Sequence, residues 1–441
     1  MAAGVFTSDA KYEPYWWEAA PRPVFPDQKL SGRTDVVVVG CGYTGVSASL
    51  TLAREGREVV VFDAEDAGWG CSTRNGGQIH IKLRLSLDAL TKIHGRDRAV
   101  AMVKEVTNAR NHVESLVKNE ALDCDWNVCG LFVGAHRPDA YDGLAAEMPV
   151  YKRECGIDAD MVPRAEQHRE IGTDAYYGGL LVHNNASLHP GLFHAGMLDR
   201  AIKAGVKIVT RCPVTKVEKD GNGFVVTHAR GTIRAKNVVM ATNGYTNSTD
   251  VSPELRRRVI PIGSYVMATE PLPSDLMKRL MPKMRVVIET RQVVYYYRAS
   301  PDGTRFVFGG RVVANETDPS VSGPLLHDAL TNIFPEVKGC KITHSWMGFV
   351  AYTFDSLPHI GVHDGIHYAM GYCGSGVHLA TYLGHKVALK VLGRTADAVT
   401  AYDDLKFQSR PLYSGSPWFL GAAVMYYKFL DRLPSGGGRR A

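Results

Sequence analysis

Val36-Val37-Val38-Val39-Gly40-Cys41-Gly42-Tyr43-Thr44-Gly45, residues 36–45, is the stretch that decides the fold. Four β-branched residues in a row suit a strand buried on both faces of a parallel sheet. The run stops at Gly40, and Val46, Leu50 and Leu52-Ala53 continue as the apolar side of a helix. A second buried run, Val59-Val60-Val61-Phe62, closes at Asp63, which completes a βαβ unit within about thirty residues. The turn between strand and helix is G-x-G-x-x-G in its required context. Gly40 permits the tight turn, Gly42 lets the backbone approach a pyrophosphate, and Gly45 lets the helix pack closely on the strand. The phosphates then meet the free N–H groups and positive end of the helix. Asp63 is placed to accept from ribose hydroxyls, and its charge repels a 2′-phosphate, which argues against an NADP-type cofactor.

Working outward, three segments choose among dinucleotides. Gly68-Trp69-Gly70-Cys71-Ser72-Thr73-Arg74-Asn75-Gly76-Gly77-Gln78 follows directly, and so many small residues suit a backbone that runs along a large planar cofactor. Val238-Val239-Met240-Ala241-Thr242-Asn243-Gly244 is a second strand ending in a turn. Ile366–Met370 leads into Gly371-Tyr372-Cys373-Gly374-Ser375-Gly376-Val377, a strand, a glycine turn and a helix start. A nicotinamide domain would finish its site in its first half. Signals recurring near residues 40, 240 and 370 predict FAD and a nucleotide domain interleaved with another.

Composition agrees with an interleaved enzyme. The 441 residues allow two or three domain-sized units, and 45% hydrophobic with 22% charged residues is ordinary for a globular chain. A net charge of +6, read as spread along the chain, argues against a dedicated nucleic-acid binder and suits small anions. The eight cysteines lack disulfide-framework spacing, which points to a reducing, cytoplasmic setting. The N-terminus has no apolar run behind basic residues, so no signal peptide is expected. Residues 83–120 predict a long amphipathic helix, and 259–270 and 286–313 predict an antiparallel sheet rich in Tyr and Phe.

The chain resembles the FAD-dependent glycine/D-amino acid oxidase family, most closely its γ-glutamylputrescine oxidase branch, with iminodiacetate and sarcosine oxidases as relatives. The carrying segments are VVVVGCGYTGVSASLTLAREG (36–56), GWGCSTRNGGQ (68–78), SLHPGLFHAGML (187–198), IPIGSYVMATEPL (260–272), FVFGGR (306–311), MGFVAYTFDSLPHIG (347–361) and GYCGSGVHLATYLGHKVA (371–388). The resemblance implies an α/β (α+β overall) architecture: a Rossmann-like, p-hydroxybenzoate-hydroxylase-like FAD domain interleaved with an antiparallel-sheet substrate domain. The expected division is an arm at 1–30, the FAD domain at 31–85, 186–255 and 340–395, the substrate domain at 86–185 and 256–339, and a helical tail at 396–441. The expected FAD contacts are Gly40, Gly42, Tyr43, Thr44, Gly45, Asp63, Ala64, Gly70, Cys71, Ser72, Arg74, Asn75, Gly76, Gly77, Gln78, Val214, Ala241, Thr242, Gly244, Gly371, Gly374, Ser375, Gly376 and Val377. Some sarcosine oxidases attach FAD through a Cys before their Tyr-Thr; here Phe349-Val350-Ala351-Tyr352-Thr353 has no thiol, so non-covalent FAD is expected.

The implied reaction is oxidation of a C–N bond in a small amine or amino acid, with a carboxylate-bearing secondary amine preferred. Hydride passes to flavin, the imine is hydrolysed, and O2 reoxidises the flavin to give H2O2. Alternatives are a dehydrogenase passing electrons to a quinone or carrier protein, a flavin-binding assembly factor without turnover, and an NAD-dependent dehydrogenase. The flavin carries the redox chemistry, so no acid/base dyad is required. Arg74 is expected near flavin or substrate, and Tyr265 and Arg311 are the expected substrate contacts, an aromatic wall and a carboxylate fork. Arg298, Gln78, His80, His344 and Tyr352 rank below them. His359, His363 and His367 are spaced by four, but Pro358, Gly361 and Gly365 break any helix, so no metal site is expected. The arm, with Tyr12, Tyr15, Trp16 and Trp17, is expected to pack on the surface through its rings. In the tail, Trp418-Phe419-Leu420 and Val424-Met425-Tyr426-Tyr427, flanked by Lys428 and Arg432, predict a short apolar helix docked on the protein itself, with peripheral membrane contact as the alternative. Residues 435–441 (SGGGRRA) are expected to be disordered.

Overall fold

The parallel run that opens the nucleotide unit lies mid-sheet in a computed structural model that describes residues 4–26, 30–248 and 251–432. Residues 435–441 lie outside that range. Arg33–Val39 pairs in parallel with Val59–Phe62 on one side and with Gly231–Met240 on the other. Lys207–Val209 extends one edge, and the antiparallel strands Gly223–His228 and Val214–Asp220 extend the other. Ile366–Met370 pairs in parallel with the end of Gly231–Met240 and forms a hairpin with His359–His363. That hairpin is why the spaced histidines do not align: His359 stacks on Phe407 and bonds to Asp355, while His363 sits at the opposite end of its strand. Val36–Val39 and Val59–Phe62 are buried throughout, as an interior parallel sheet demands. The first helix, Tyr43–Arg54, and a late helix, Gly376–Val391, pack on each other against this sheet; a Cβ on Gly384 would lie 2.5 Å from the Thr44 carbonyl oxygen, and only glycine allows that approach.

A second sheet has nine strands, in the order Phe6–Lys11, Ile342–Tyr352, Ile260–Thr269, Phe306–Gly310, Tyr295–Ala299, Val286–Glu289, Leu131–Gly134, Gly179–Val182, Ala159–Val162. It is mostly antiparallel, with parallel pairings of Phe6–Lys11 to Ile342–Tyr352 and of Val286–Glu289 to Leu131–Gly134. Two sequence expectations change here. Ile342–Tyr352 was assigned by the 340 boundary to the cofactor domain, but it hydrogen-bonds along the length of Ile260–Thr269 in this second sheet. The arm is not a surface wrapping: Phe6–Lys11 is an edge strand, and Trp16 is fully buried between the sheets with Val266, Val307 and Trp346. The region 83–120 forms two helices, Leu87–His94 and Arg96–Asn119, because Gly95 turns at φ +80° and the Ser86 hydroxyl caps the first by accepting from the Ala89 N–H.

Alternation divides the residues of the second sheet cleanly. Tyr265, Met267, Tyr297 and Phe308 enter a core with Leu326 and Leu330 of the helix Pro319–Ile333. Tyr296, Val266 and Trp346 face the other way, toward Trp16 and the first sheet.

Candidate active site at the junction of the two sheets

Three glycines shape the nucleotide end. Gly40 turns at φ +105°, and a Cβ there would come 2.9 Å from the Ala241 carbonyl oxygen. A Cβ on Gly45 would lie 1.9 Å from the Gly40 carbonyl oxygen, and one on Gly42 would meet the Ser72 hydroxyl at 2.8 Å. Helix Tyr43–Arg54 has no side-chain cap at Gly42, and the Tyr43 N–H donates to Ser72 Oγ at 2.9 Å. Asp63 accepts from the Cys41 N–H at 2.7 Å and the Glu65 N–H at 2.9 Å, which fixes it at the strand end; its dry surroundings raise its pKa to about 6. Ala64 is exposed beside it. Val214 starts an edge strand of the same sheet, in the core with Val39 and Phe62.

Gly68–Gln78 is a cradle held open from beneath. Cys71–Thr73 is one 3-10 turn, and Gln78–Ile79 pairs with Ala186–Ser187. Three indoles hydrogen-bond into the cradle: Trp16 Nε1 donates to the Asn75 carbonyl at 2.8 Å, Trp17 Nε1 to Thr73 Oγ1 at 2.8 Å, and Trp346 Nε1 to the Arg74 carbonyl at 2.9 Å. Asn75 closes the loop on itself, donating to the Cys71 and Ser72 carbonyls and accepting from the Gly77 N–H. The Gly77 and Leu188 carbonyls take the buried Arg298 guanidinium at 3.2 and 2.9 Å. Arg298 is thus a brace behind the cradle. Tyr296 packs against Gly76, where a Cβ would stand 3.2 Å from its ring. Gln78 Nε2 donates to the Tyr297 carbonyl at 3.0 Å.

Arg74 is held between the rings of Trp17 and Trp69, with its guanidinium carbon 4.8 and 4.4 Å from their centroids. Nε donates to the Trp69 carbonyl and Nη1 to the Met347 carbonyl. The structure makes it a bolt between cradle and second sheet, in the segment where the sequence reading expects a cation near flavin or substrate.

The late helix supplies the third wall. Gly371 turns at φ +80° beside Thr353, Cys373 and Gly374 at φ +50° and +99°, and helix Gly376–Val391 begins behind Ser375, whose side chain does not cap it. Its first N–H groups stay free. Tyr372 joins this turn to the first helix: its hydroxyl is 2.7 Å from Thr44 Oγ1 and donates to the Ala369 carbonyl. Val377 is buried in the main core. The Ala241-Thr242-Asn243-Gly244 turn completes the frame, since Asn243 Oδ1 accepts from the Gly371 N–H at 2.9 Å and Gly244 lies against the Phe349 carbonyl. Two helix ends whose own N-cap residues make no side-chain cap, beginning at residues 43 and 376, therefore converge on one cradle, with Ser72 holding only the Tyr43 N–H of the first.

Tyr265 and Arg311 are not on this face. Tyr265 is fully buried in the opposite core; its hydroxyl donates to Glu316 at 2.9 Å and accepts from the Thr317 N–H at 2.8 Å. Arg311 donates to the Gly263 and Ala314 carbonyls and to Glu316. Together they anchor the loop 311–317. One step of register sent the sequence reading to the wrong face. The residues that do stand on this face are Tyr296, an aromatic candidate that the sequence reading ranks below Tyr265, and Ser264, their hydroxyls 3.0 Å apart; Tyr245, which that reading passed over, packs edge-on against Trp69 and Phe349. A usable signal was present in FVFGGR. Gly309 is the cross-strand partner of Tyr296, and a Cβ there would stand 2.4 Å from its ring. At the rim, Arg84 lies over the Tyr352 ring at 5.7 Å, a contact with no sequence signature. His344 lies far along its strand beside Glu18 and Tyr15.

The residues present fit a flavin dinucleotide. Open space remains beside the backbone at Gly374 and Gly376, and buried ring nitrogens of His80 and His378 have no protein partner where the cradle meets the late helix. The Cys71 and Cys373 thiols are both pushed up to about 11 by burial, so neither is a ready nucleophile. No group of His, Cys, Asp and Glu that could hold a metal ion occurs among the described residues.

Comparison with known proteins agrees. A family model described as FAD dependent oxidoreductase (DAO) matches residues 35–389. The γ-glutamylputrescine oxidoreductase of Escherichia coli (strain K12) is 32% identical over 403 residues, covering 90% of this chain and 93% of that protein. Among solved structures, glycine oxidase from Geobacillus kaustophilus superposes with a TM-score of 0.70 at 19% identity, covering 86% of this chain and 99% of that one. Iminodiacetate oxidase from Chelativorans sp. BNC1 gives a TM-score of 0.66 at 17% identity, covering 81% and 95%.

Proposed function

The chain belongs to the DAO family of FAD-dependent oxidoreductases, and on that premise we propose that it oxidises the C–N bond of a small amine or amino acid, preferably a secondary amine bearing a carboxylate. The family relatives that act on such compounds support this reading: γ-glutamylputrescine oxidoreductase in sequence, glycine oxidase and iminodiacetate oxidase in fold. The observation that carries it is the convergence of these two helix ends on a cradle that faces Tyr296 and Ser264 across the inter-sheet gap.

FAD, when bound, supplies the two-electron acceptor, and it is held without a covalent link. The N–H groups after Gly42 meet the pyrophosphate, and Asp63 accepts from ribose hydroxyls. The free N–H groups behind Ser375 present positive charge to the electron-rich end of the ring system. Tyr296, Ser264 and Tyr352 wall the substrate space, and Arg84 at its rim offers the charge for a carboxylate. Water hydrolyses the imine product to a carbonyl compound and a shortened amine. With oxygen as acceptor, amine, O2 and water give carbonyl compound, amine and H2O2. A second reading, electron transfer to a quinone, draws support from the apolar face of the tail helix described below.

Anaerobic visible spectra of the yellow protein with small amines and N-substituted amino acids test the proposal. Bleaching by one class is the expected result, and readmitted air or added quinone identifies the acceptor. A flavin that none of them bleaches would overturn the reaction assignment.

A further inference from the structure

The tail helix Leu420–Arg432 is docked by one side. Leu420 and Val424 are buried, Lys428 Nζ donates to the Val312 carbonyl at 2.6 Å, and Asp431 accepts from the Gln292 and Val293 N–H groups at 2.8 and 3.0 Å. The opposite side carries Ala422, Met425, Tyr426 and Phe429, the i, i+3, i+4, i+7 stripe that a helix ordinarily turns toward a core. Here the stripe faces solvent: Met425 is 61%, Tyr426 59% and Phe429 58% exposed, with Trp418 72% exposed just before the helix. An apolar stripe rimmed by polar residues marks an interaction surface.

Charge selects the occupant. Residues 405–441 contain Lys406, Arg410, Lys428, Arg432, Arg439 and Arg440 against a single acid, Asp431, so the part of the tail that carries this helix is basic. A second copy would bring two such basic segments together and repel itself. The sequence of residues 433–441 holds one large apolar residue, Leu433. An anionic bilayer surface matches both properties, since aromatic and Met side chains enter the headgroup boundary while exposed basic residues such as Arg432 meet lipid phosphates.

We propose that the exposed face of helix Leu420–Arg432 is a peripheral docking surface for anionic phospholipid membranes. No described helix is long and apolar enough to cross a membrane, so the helix lies in the plane of the interface. Docking has a consequence for the site. Asp431 holds the turn at Gln292, whose carbonyl receives Arg84 Nη2 at 3.4 Å, and Arg84 lies over Tyr352. The bilayer is then one loop away from the mouth of the candidate active site.

Co-sedimentation of the full-length, FAD-loaded protein with vesicles tests this. Phosphatidylcholine vesicles containing a minority of phosphatidylglycerol are expected to carry the protein down. Binding is expected to fall about tenfold or more on phosphatidylcholine alone, in raised salt, and in the double variant Met425→Ser/Phe429→Ser. The variant should keep its flavin absorbance and elute as the wild type does, because both side chains point away from the protein. Protein left in the supernatant with phosphatidylglycerol vesicles would overturn the proposal. So would a double variant that binds as tightly as wild type, or a concentration-dependent dimer that this variant alone abolishes.

Discussion

The cradle from Gly68 to Gln78 and the sheet face carrying Tyr296 lie against one another and build their halves of the site by opposite means. In the cradle, missing side chains let the backbone pack closely, and polar groups are consumed internally: Asn75 closes the loop, and indoles from the arm (Trp16, Trp17) and from the second sheet (Trp346) satisfy its carbonyls and hydroxyl. In the sheet, space comes from the side chains on one face, and a shift of one residue along Ile260–Thr269 exchanges Ser264 for Tyr265. A cofactor common to a family can be held by a backbone that tolerates no variation. A substrate is distinguished on the face where side chains can change without disturbing the ladder.

The largest expected effect therefore belongs to the nucleotide end. Gly45→Ala places a Cβ 1.9 Å from the Gly40 carbonyl oxygen, backbone against backbone, with no flexible group to yield. Overpacking of this kind costs about 3 kcal/mol, equivalent to about a hundredfold loss of FAD affinity. The protein should purify without visible flavin absorbance and recover it only at high added FAD. A yellow Gly45→Ala protein would break the distinction between a rigid cradle and an adaptable face.

Next comes the arm. Trp16→Phe keeps the ring but leaves the Asn75 carbonyl without its donor, at a cost of about 1–3 kcal/mol for an unsatisfied buried group. We expect a lower melting temperature and about tenfold weaker FAD binding, measured by thermal shift and flavin titration. If only stability falls, the indole supports the fold without shaping the cradle.

The paired tyrosines sharpen the comparison. Tyr296→Leu should raise the KM for the amine that bleaches the flavin about tenfold, the scale of one lost aromatic contact, with flavin content unchanged. Tyr265→Phe should leave KM alone and cost about 1 kcal/mol of stability, through the lost hydroxyl bridge to Glu316 and Thr317. The reverse pattern would restore the sequence assignment of Tyr265 to the substrate side.

Why that assignment failed is instructive about what a sequence records. The nucleotide unit was legible because Gly40, Gly42, Gly45 and Asp63 act locally, within one strand–turn–helix. Strand alternation alone also separates Tyr296 from its neighbours, with Tyr297 entering the core beneath Pro319–Ile333 and Tyr296 facing away. Which face meets the cofactor was not legible, because it depends on how a sheet assembled from distant segments stands against Gly76. The same holds for Trp16, whose role rests on an indole reaching Asn75 across the chain, and for Ile342–Tyr352, which reads as a crossover but pairs as a strand. Contacts made across long sequence separations leave composition behind, not pattern.

The smallest expected effect is a pH dependence of cofactor affinity, set by Asp63. Its carboxyl is held in dry surroundings with a pKa raised to about 6, above its value in an unfolded chain. The sign follows from which form a ribose hydroxyl prefers. Donation from ribose favours the carboxylate, so binding lowers this pKa and takes up no proton above about pH 6. Below about pH 6 the free protein carries a proton that binding must displace, and affinity falls by up to about tenfold per pH unit. FAD dissociation constants at pH 7.5 and pH 5 should differ in that direction for the wild type and converge in Asp63→Asn, which stays neutral at both. Equal slopes in the two proteins would move the titrating group away from Asp63, and with it the ribose from the end of the second strand.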